Sequence, residues 1–142
     1  MPLTEERDLQ RKRREYGIRR EVPLPFQQAI DKTRAALQQQ GFGVLTEIDI
    51  QAKLKEKLGV DFKRYVILGA CNPPLAYKAL QAEPEIGLLL PCNVIVYEVD
   101  DGSSVVAAID PDSMAMMVGD NPAVLEVARD ARRRLQDALA SL

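Results

Sequence analysis

Both cysteines of the sequence are followed by asparagine, which gives two Cys-Asn pairs, Cys71-Asn72 and Cys92-Asn93. Two thiols that lie close together can form a redox pair or bind a soft metal ion. The asparagine amides beside them can form hydrogen bonds with a ligand. These four residues are therefore the candidate ligand-binding or redox site.

Several kinds of catalysis are excluded by the residues that the chain lacks. It contains no histidine, so Ser-His-Asp and Cys-His nucleophiles and histidine-based zinc sites cannot be built within one chain. Its serines do not lie in Gly-x-Ser-x-Gly or Ser-x-x-Lys motifs. We assign no catalytic residue and no metal ligand, and both the cofactor and the question of enzymatic activity stay open.

The first Cys-Asn pair also has a structural interpretation. The apolar run 65–71 predicts a strand that ends at Cys71. Asparagine before proline is a favoured N-cap, here of a helix that begins at Pro73. Cys92 lies at the start of a later strand. If the two strands are antiparallel neighbours the thiols meet at one sheet edge, whereas parallel strands would place them at opposite edges.

Charge and hydropathy exclude two classes of partner. The 19 basic and 21 acidic residues give a net charge of −2, so nothing in the total charge favours nucleic acid or an anionic membrane. The longest apolar run, residues 86–90, is too short to span a bilayer. No apolar leader is present at the N-terminus, and two cysteines are too few for a disulfide framework. We therefore expect a cytoplasmic protein with reduced thiols and without nucleic-acid or membrane partners.

Hydrophobic periodicity predicts five strands and at least four helices. The predicted strands are 16–22, 44–48, 65–71, 93–99 and 104–109, and the predicted helices lie within 26–41, 50–58, 73–81 and 121–142. Asp101-Gly102 predicts a hairpin between the last two strands. Ser113 is expected to cap a short methionine-rich turn, whose methionines either fill gaps in the core or line an adaptable pocket.

The order of elements predicts the fold class. Residues 1–15 predict a charged helical extension, and residues 16–142 predict a single α+β domain. The order α-β-α-β-α-β-α-β-β-α favours a two-layer sandwich, with a mixed five-stranded sheet and helices packed mainly on one face. The other face of the sheet would then need cover, which predicts a homodimer.

Two phrases of the sequence resemble a known family. They are Gly69-Ala70-Cys71-Asn72-Pro73-Pro74-Leu75-Ala76-Tyr77-Lys78-Ala79-Leu80 and Gly87-Leu88-Leu89-Leu90-Pro91-Cys92-Asn93-Val94. Together they are similar to the motifs of domain of unknown function 302, and the resemblance extends over about residues 16–142. It implies a compact α+β domain that forms dimers, and it supplies no catalytic residues because the activity of the family is not established.

Three functional hypotheses remain. The first is a homodimeric module that binds a small molecule or a partner and has no visible catalytic machinery. The alternative is a thiol-dependent redox or metal-handling protein that uses Cys71 and Cys92. The third is an enzyme that uses carboxylates or tyrosine in a dimer cleft.

Overall fold

The structure is a computed structural model that describes residues 16–142, so the predicted helix at residues 1–15 lies outside the described residues. The elements are β1 (Gly17–Val22), α1 (Phe26–Gln39), β2 (Gly43–Asp49), α2 (Ile50–Leu58), β3 (Tyr65–Cys71), α3 (Pro73–Ala82), a 3₁₀ helix (Pro84–Leu89), β4 (Cys92–Asp100), β5 (Ser103–Ile109), α4 (Pro111–Val118) and α5 (Pro122–Ala140). None of these helices has both the length and the hydrophobicity that a membrane span requires.

The five strands form one sheet in the order β1-β5-β4-β3-β2. This confirms the α+β class, but every neighbouring pair is antiparallel, so the prediction of a mixed sheet was wrong. The prediction took a helix between consecutive strands as a sign of parallel crossover connections. Here α2 lies in the connection between β2 and β3, and α3 lies in the connection between β3 and β4. Each connection joins neighbouring antiparallel strands.

The main core lies between the sheet and the helices α1 and α5. Alternate residues of the inner strands point toward it, including Leu68 of β3 and Val94 and Val96 of β4, each with no exposed surface. Leu37 of α1 and Leu135 of α5 pack against them and are equally buried. This layer fixes the position of β3 and β4, whose ends carry the Cys-Asn pairs.

Helix ends follow from local sequence at most positions. Asp49 caps α2 by accepting a hydrogen bond from the amide of Ala52, and Gly59 ends the helix at a positive φ of 68°. The methionine-rich segment is the helix α4 rather than a turn, and Asp110, not Ser113, is its N-cap. A 3₁₀ helix follows α3, where the sequence indicated no further element.

The opposite face of the sheet carries a row of half-buried apolar side chains. Tyr65 and Ile67 alternate with the core residues of β3, and Ile95 and Tyr97 are their register partners on β4. The rings of Tyr65 and Tyr97 stack, with centroids 5.5 Å apart and an interplanar angle of 7°. We call Tyr65, Ile67, Ile95 and Tyr97 the outer row.

Candidate functional site

The pairing of β3 with β4 brings the two Cys-Asn pairs to one edge of the sheet. In this antiparallel ladder Ala70 lies opposite Cys92, and Gly69 lies opposite Asn93. The sequence left the relative direction of the strands open, and the antiparallel arrangement makes their ends meet. Cys71, the last residue of β3, is next to the register partner of Cys92.

A cavity of about 310 Å³ lies at this edge. Its wall combines the ends of β3 and β4 with α3, α4, α5 and the 3₁₀ helix. Apart from Asn72 and the two thiols its side chains are apolar, and none of the described residues that line it carries a charge. Leu45 and Leu80 also line it and are 67% and 40% exposed, which marks the side where the cavity meets solvent.

The cavity lies where two hydrophobic clusters meet. Phe42 and Ala70 of the main core form one side of it. A second cluster forms the other side, and all of its buried members line the cavity: Ala79, Ile86, Ala115, Val124 and Ala128. Three of these five are alanines, and protein interiors are otherwise packed to the density of organic crystals. The short alanine side chains leave the gap unfilled.

The chemistry of Cys92 is that of a neutral thiol. Burial, and secondarily the nearby Cys71, raises the pKa of Cys92 from 9.0 to about 11. Both cysteines are free. Successive side chains of a strand point to opposite faces, so Cys71 leaves β3 on the face opposite to Ala70, the partner of Cys92. The two cysteines are therefore neighbours in the sheet, but their side chains leave it on opposite faces.

Asn72 is occupied by structural hydrogen bonds. Its Oδ1 accepts from the amide of Leu75 at 3.4 Å, which caps α3, and its Nδ2 donates to the carbonyl of Gln40 at 3.4 Å. Arg134 donates to the same carbonyl at 3.3 Å. The side chain is 8% exposed and forms part of the cavity wall. The capping role predicted from the sequence is confirmed.

Asn93 is separated from the other three predicted site residues. It is exposed and is not among the residues that line the cavity. The structure thus brings together Cys71, Asn72 and Cys92, although Asn93 belongs to the second copy of the same dipeptide. The reason is the alternation of β4, because Asn93 follows a residue that faces the cavity.

Sequence analysis missed most of the cavity wall. Met114 is a lining residue, as one interpretation of the methionine-rich segment predicted, whereas Met116 and Met117 are 82% and 74% exposed. One feature of the sequence could have indicated the cavity: two small residues three positions apart on α5, Ala128 and Ala131, which both line it. In the part of the chain that the structure describes, no group of three or more cysteine or carboxylate side chains is placed to hold a metal ion.

Fold and site together define a class of protein: a small α+β domain with an antiparallel sheet and an uncharged cavity beside it. Comparison with known proteins gives the family. Residues 18–142 match the domain of unknown function DUF302, and the chain belongs to this family.

A solved structure of the same family has a similar fold. It is described as the crystal structure of an uncharacterized conserved protein DUF302 from Bacillus stearothermophilus. The two sequences are 33% identical, the TM-score is 0.81, and the alignment covers 89% of this chain and 97% of the other. Comparison with curated proteins gives no match.

Proposed function

We propose that this domain binds a small apolar molecule in the cavity between its two hydrophobic clusters. The observation that carries the proposal is a cavity of about 310 Å³ with an apolar wall. Ligand pockets are typically concave, mostly apolar and at least about 300 Å³ in volume. Ligand binding would also account for the position of Cys71, Asn72 and Cys92. These residues would then form part of the binding cavity and would not take part in a reaction.

The test is titration with the uncharged fluorescent probe N-phenyl-1-naphthylamine. The fluorescence of the probe should rise when it binds and should reach a plateau as the protein concentration increases. Ala128→Leu places a larger side chain into the cavity, because Ala128 is 5% exposed and lines it. This variant should lose at least about tenfold in probe affinity, which corresponds to about 1.4 kcal/mol.

The matched control is Ala140→Leu, at an exposed alanine of the same helix. It should bind the probe like the original protein. If Ala128→Leu does not fold, Ala79→Val tests the same cavity from α3. No saturable binding by the original protein, or equal binding by cavity and control variants, would contradict the proposal.

The proposal includes a homodimer formed through the outer face of the sheet. Its support is the outer row, whose Tyr65, Ile67, Ile95 and Tyr97 are apolar or aromatic and remain half-buried in one chain. A twofold axis through this face would bury the same residues from both copies. Sedimentation equilibrium should give twice the chain mass for the original protein.

Ile67→Lys should shift this equilibrium toward the single chain, because a lysine ammonium is costly to bury without a partner. Gln28→Lys on the exposed surface of α1 is the control for the added charge and should leave the mass unchanged. If Ile67→Lys is unfolded by circular dichroism, Ile95→Thr tests the same surface. A single-chain mass for the original protein would contradict the dimer.

The thiol-dependent alternative is supported by the meeting of Cys71 and Cys92 at one edge. The raised pKa of Cys92 weighs against it, because the thiolate is the form that attacks disulfides and binds metal ions. We therefore prefer the ligand-binding module.

A further inference from the structure

We infer that the cavity selects uncharged ligands and rejects anions such as fatty-acid carboxylates. This inference rests on the proposed function and adds the chemical class of the ligand. It is carried by three helix N-termini beside the cavity, which are normally anion sites and here begin with proline and a side-chain cap that occupy or remove most of the first-turn donors.

The N-terminus of α3 has no amide available to an anion. Its first two residues, Pro73 and Pro74, have no N–H group. The amides of Leu75 and Ala76 already donate to the side chain and the carbonyl of Asn72. The helix therefore presents no free donor at the point where Asn72 and Leu75 line the cavity.

The N-terminus of α4 is capped by Asp110 and carries negative charge. Pro111 lines the cavity and has no N–H group. The amides of Asp112 and Ser113 donate to the side chain and the carbonyl of Asp110, whose carboxylate is the cap. Asp110 and Asp112 share one cation, Arg132, at 3.2 and 3.5 Å. Two carboxylates and one guanidinium leave an excess of one negative charge beside Pro111.

The N-terminus of α5 follows the same pattern. Pro122 has no N–H group, and the amides of Val124 and Leu125 donate to the side chain and the carbonyl of Asn121. The remaining amide of the first turn belongs to Ala123, which is exposed and is not a lining residue.

A second arginine in this part of the molecule, Arg134, is paired as well. Arg134 donates to the carbonyl of Gln40, which also accepts from Asn72, and its Nε lies 3.0 Å from Asp130. An anion in the cavity would therefore meet no charged partner among the described lining residues, and the N-terminus of α3 would offer it no free amide. Burying an unpaired ion is far more costly than burying a hydroxyl group.

The experiment compares two molecules of equal chain length, 1-octanol and octanoate, as competitors of N-phenyl-1-naphthylamine at pH 7. Octanol should displace the probe with an affinity at least about tenfold higher than that of octanoate. A ratio below tenfold, or failure of octanol to displace bound probe, would overturn the inference while probe binding still supports the proposed function. If the probe itself does not bind, the proposed function fails and the inference fails with it.

A gain-of-function variant tests the reason for the selectivity. Leu80 lines the cavity and is 40% exposed, so an arginine there could place its guanidinium at the entrance. Leu80→Arg should raise octanoate affinity at least about fivefold, with little change for octanol, and Leu80→Gln is the uncharged control. Equal octanoate affinity in Leu80→Arg, Leu80→Gln and the original protein would overturn the electrostatic explanation.

Discussion

Asn72 and Asn121 each join two helices in the same way. Each caps the helix that it precedes, and each uses its Nδ2 to donate to a carbonyl at the end of an earlier helix. Asn72 joins α3 to the carbonyl of Gln40 after α1, and Asn121 joins α5 to the carbonyl of Ala82 in α3. Both are followed by proline, so local sequence favours the cap while the second bond depends on the tertiary fold.

Replacing either asparagine should destabilise the fold. Asn72→Ala and Asn121→Ala each lose a cap and an interhelical bond, so each should lower the free energy of unfolding by about 1–3 kcal/mol. Urea denaturation followed by circular dichroism measures the change. Asn93→Ala is the control, because Asn93 is exposed, and it should change stability by less than about 0.5 kcal/mol. Equal losses in all three variants would show that the two helix junctions have no special role.

Cys92 should react slowly with alkylating reagents in the folded protein. Burial raises its pKa from 9.0 to about 11, which lowers the thiolate fraction at pH 8 about a hundredfold. In a Cys71→Ser variant, iodoacetamide should therefore modify Cys92 roughly a hundredfold more slowly before denaturation than after it, as followed by mass spectrometry. Fast modification in the folded state would instead support the thiol-dependent alternative.

The same raised pKa predicts a loss of stability at high pH. Below about pH 9 the thiol of Cys92 is protonated in both the folded and the unfolded chain. Between about pH 9 and 11 the unfolded chain releases the proton and the folded chain keeps it, so unfolding is favoured as pH rises. The full shift corresponds to about 3 kcal/mol.

Comparison with Cys92→Ala isolates this effect. Tyr65, whose pKa is raised by burial and by the phenols of Tyr97 and Tyr16, adds a loss of the same sign in both proteins as pH rises above its ordinary value of 10.0. Urea denaturation at pH 8 and pH 10.5 should show a smaller drop for Cys92→Ala than for the original protein. An equal loss of stability between pH 8 and pH 10.5 in the two proteins would show that Cys92 is not the cause of the effect.

Gly69 should not tolerate a side chain. A Cβ at this position would overlap Oγ1 of Thr46 and lie 2.9 Å from Cγ of Pro91. Gly69→Ala should therefore cost about 1–3 kcal/mol in urea denaturation. Thr46→Ala removes part of the overlap. The double variant should therefore lose at least about 1 kcal/mol less stability than the sum of the losses in the two single variants.

Gly43→Ala is the control for this prediction, because Gly43 lies in the neighbouring strand and a Cβ there meets nothing within 4 Å. It should change stability by less than about 0.5 kcal/mol. Additive losses for Gly69→Ala and Thr46→Ala would mean that the two side chains do not compete for the same space.

The sequence by itself determined most of the elements and several of their ends. Asp49 and Gly59 bound α2, Asn72 starts α3, and the turn between β4 and β5 contains Gly102, all as local propensity predicts. These features depend on residues a few positions apart, so the sequence pattern contains the necessary information.

Tertiary structure alone decided how these elements combine. The fully antiparallel sheet, the meeting of Cys71 with Cys92 and the separation of Asn93 from them follow from strand register. The cavity depends on alanines of α3, α4 and α5 facing one another across a gap. Contacts between residues far apart in the chain leave no periodic signal in any one segment, and the free energy of packing the whole molecule selects among them.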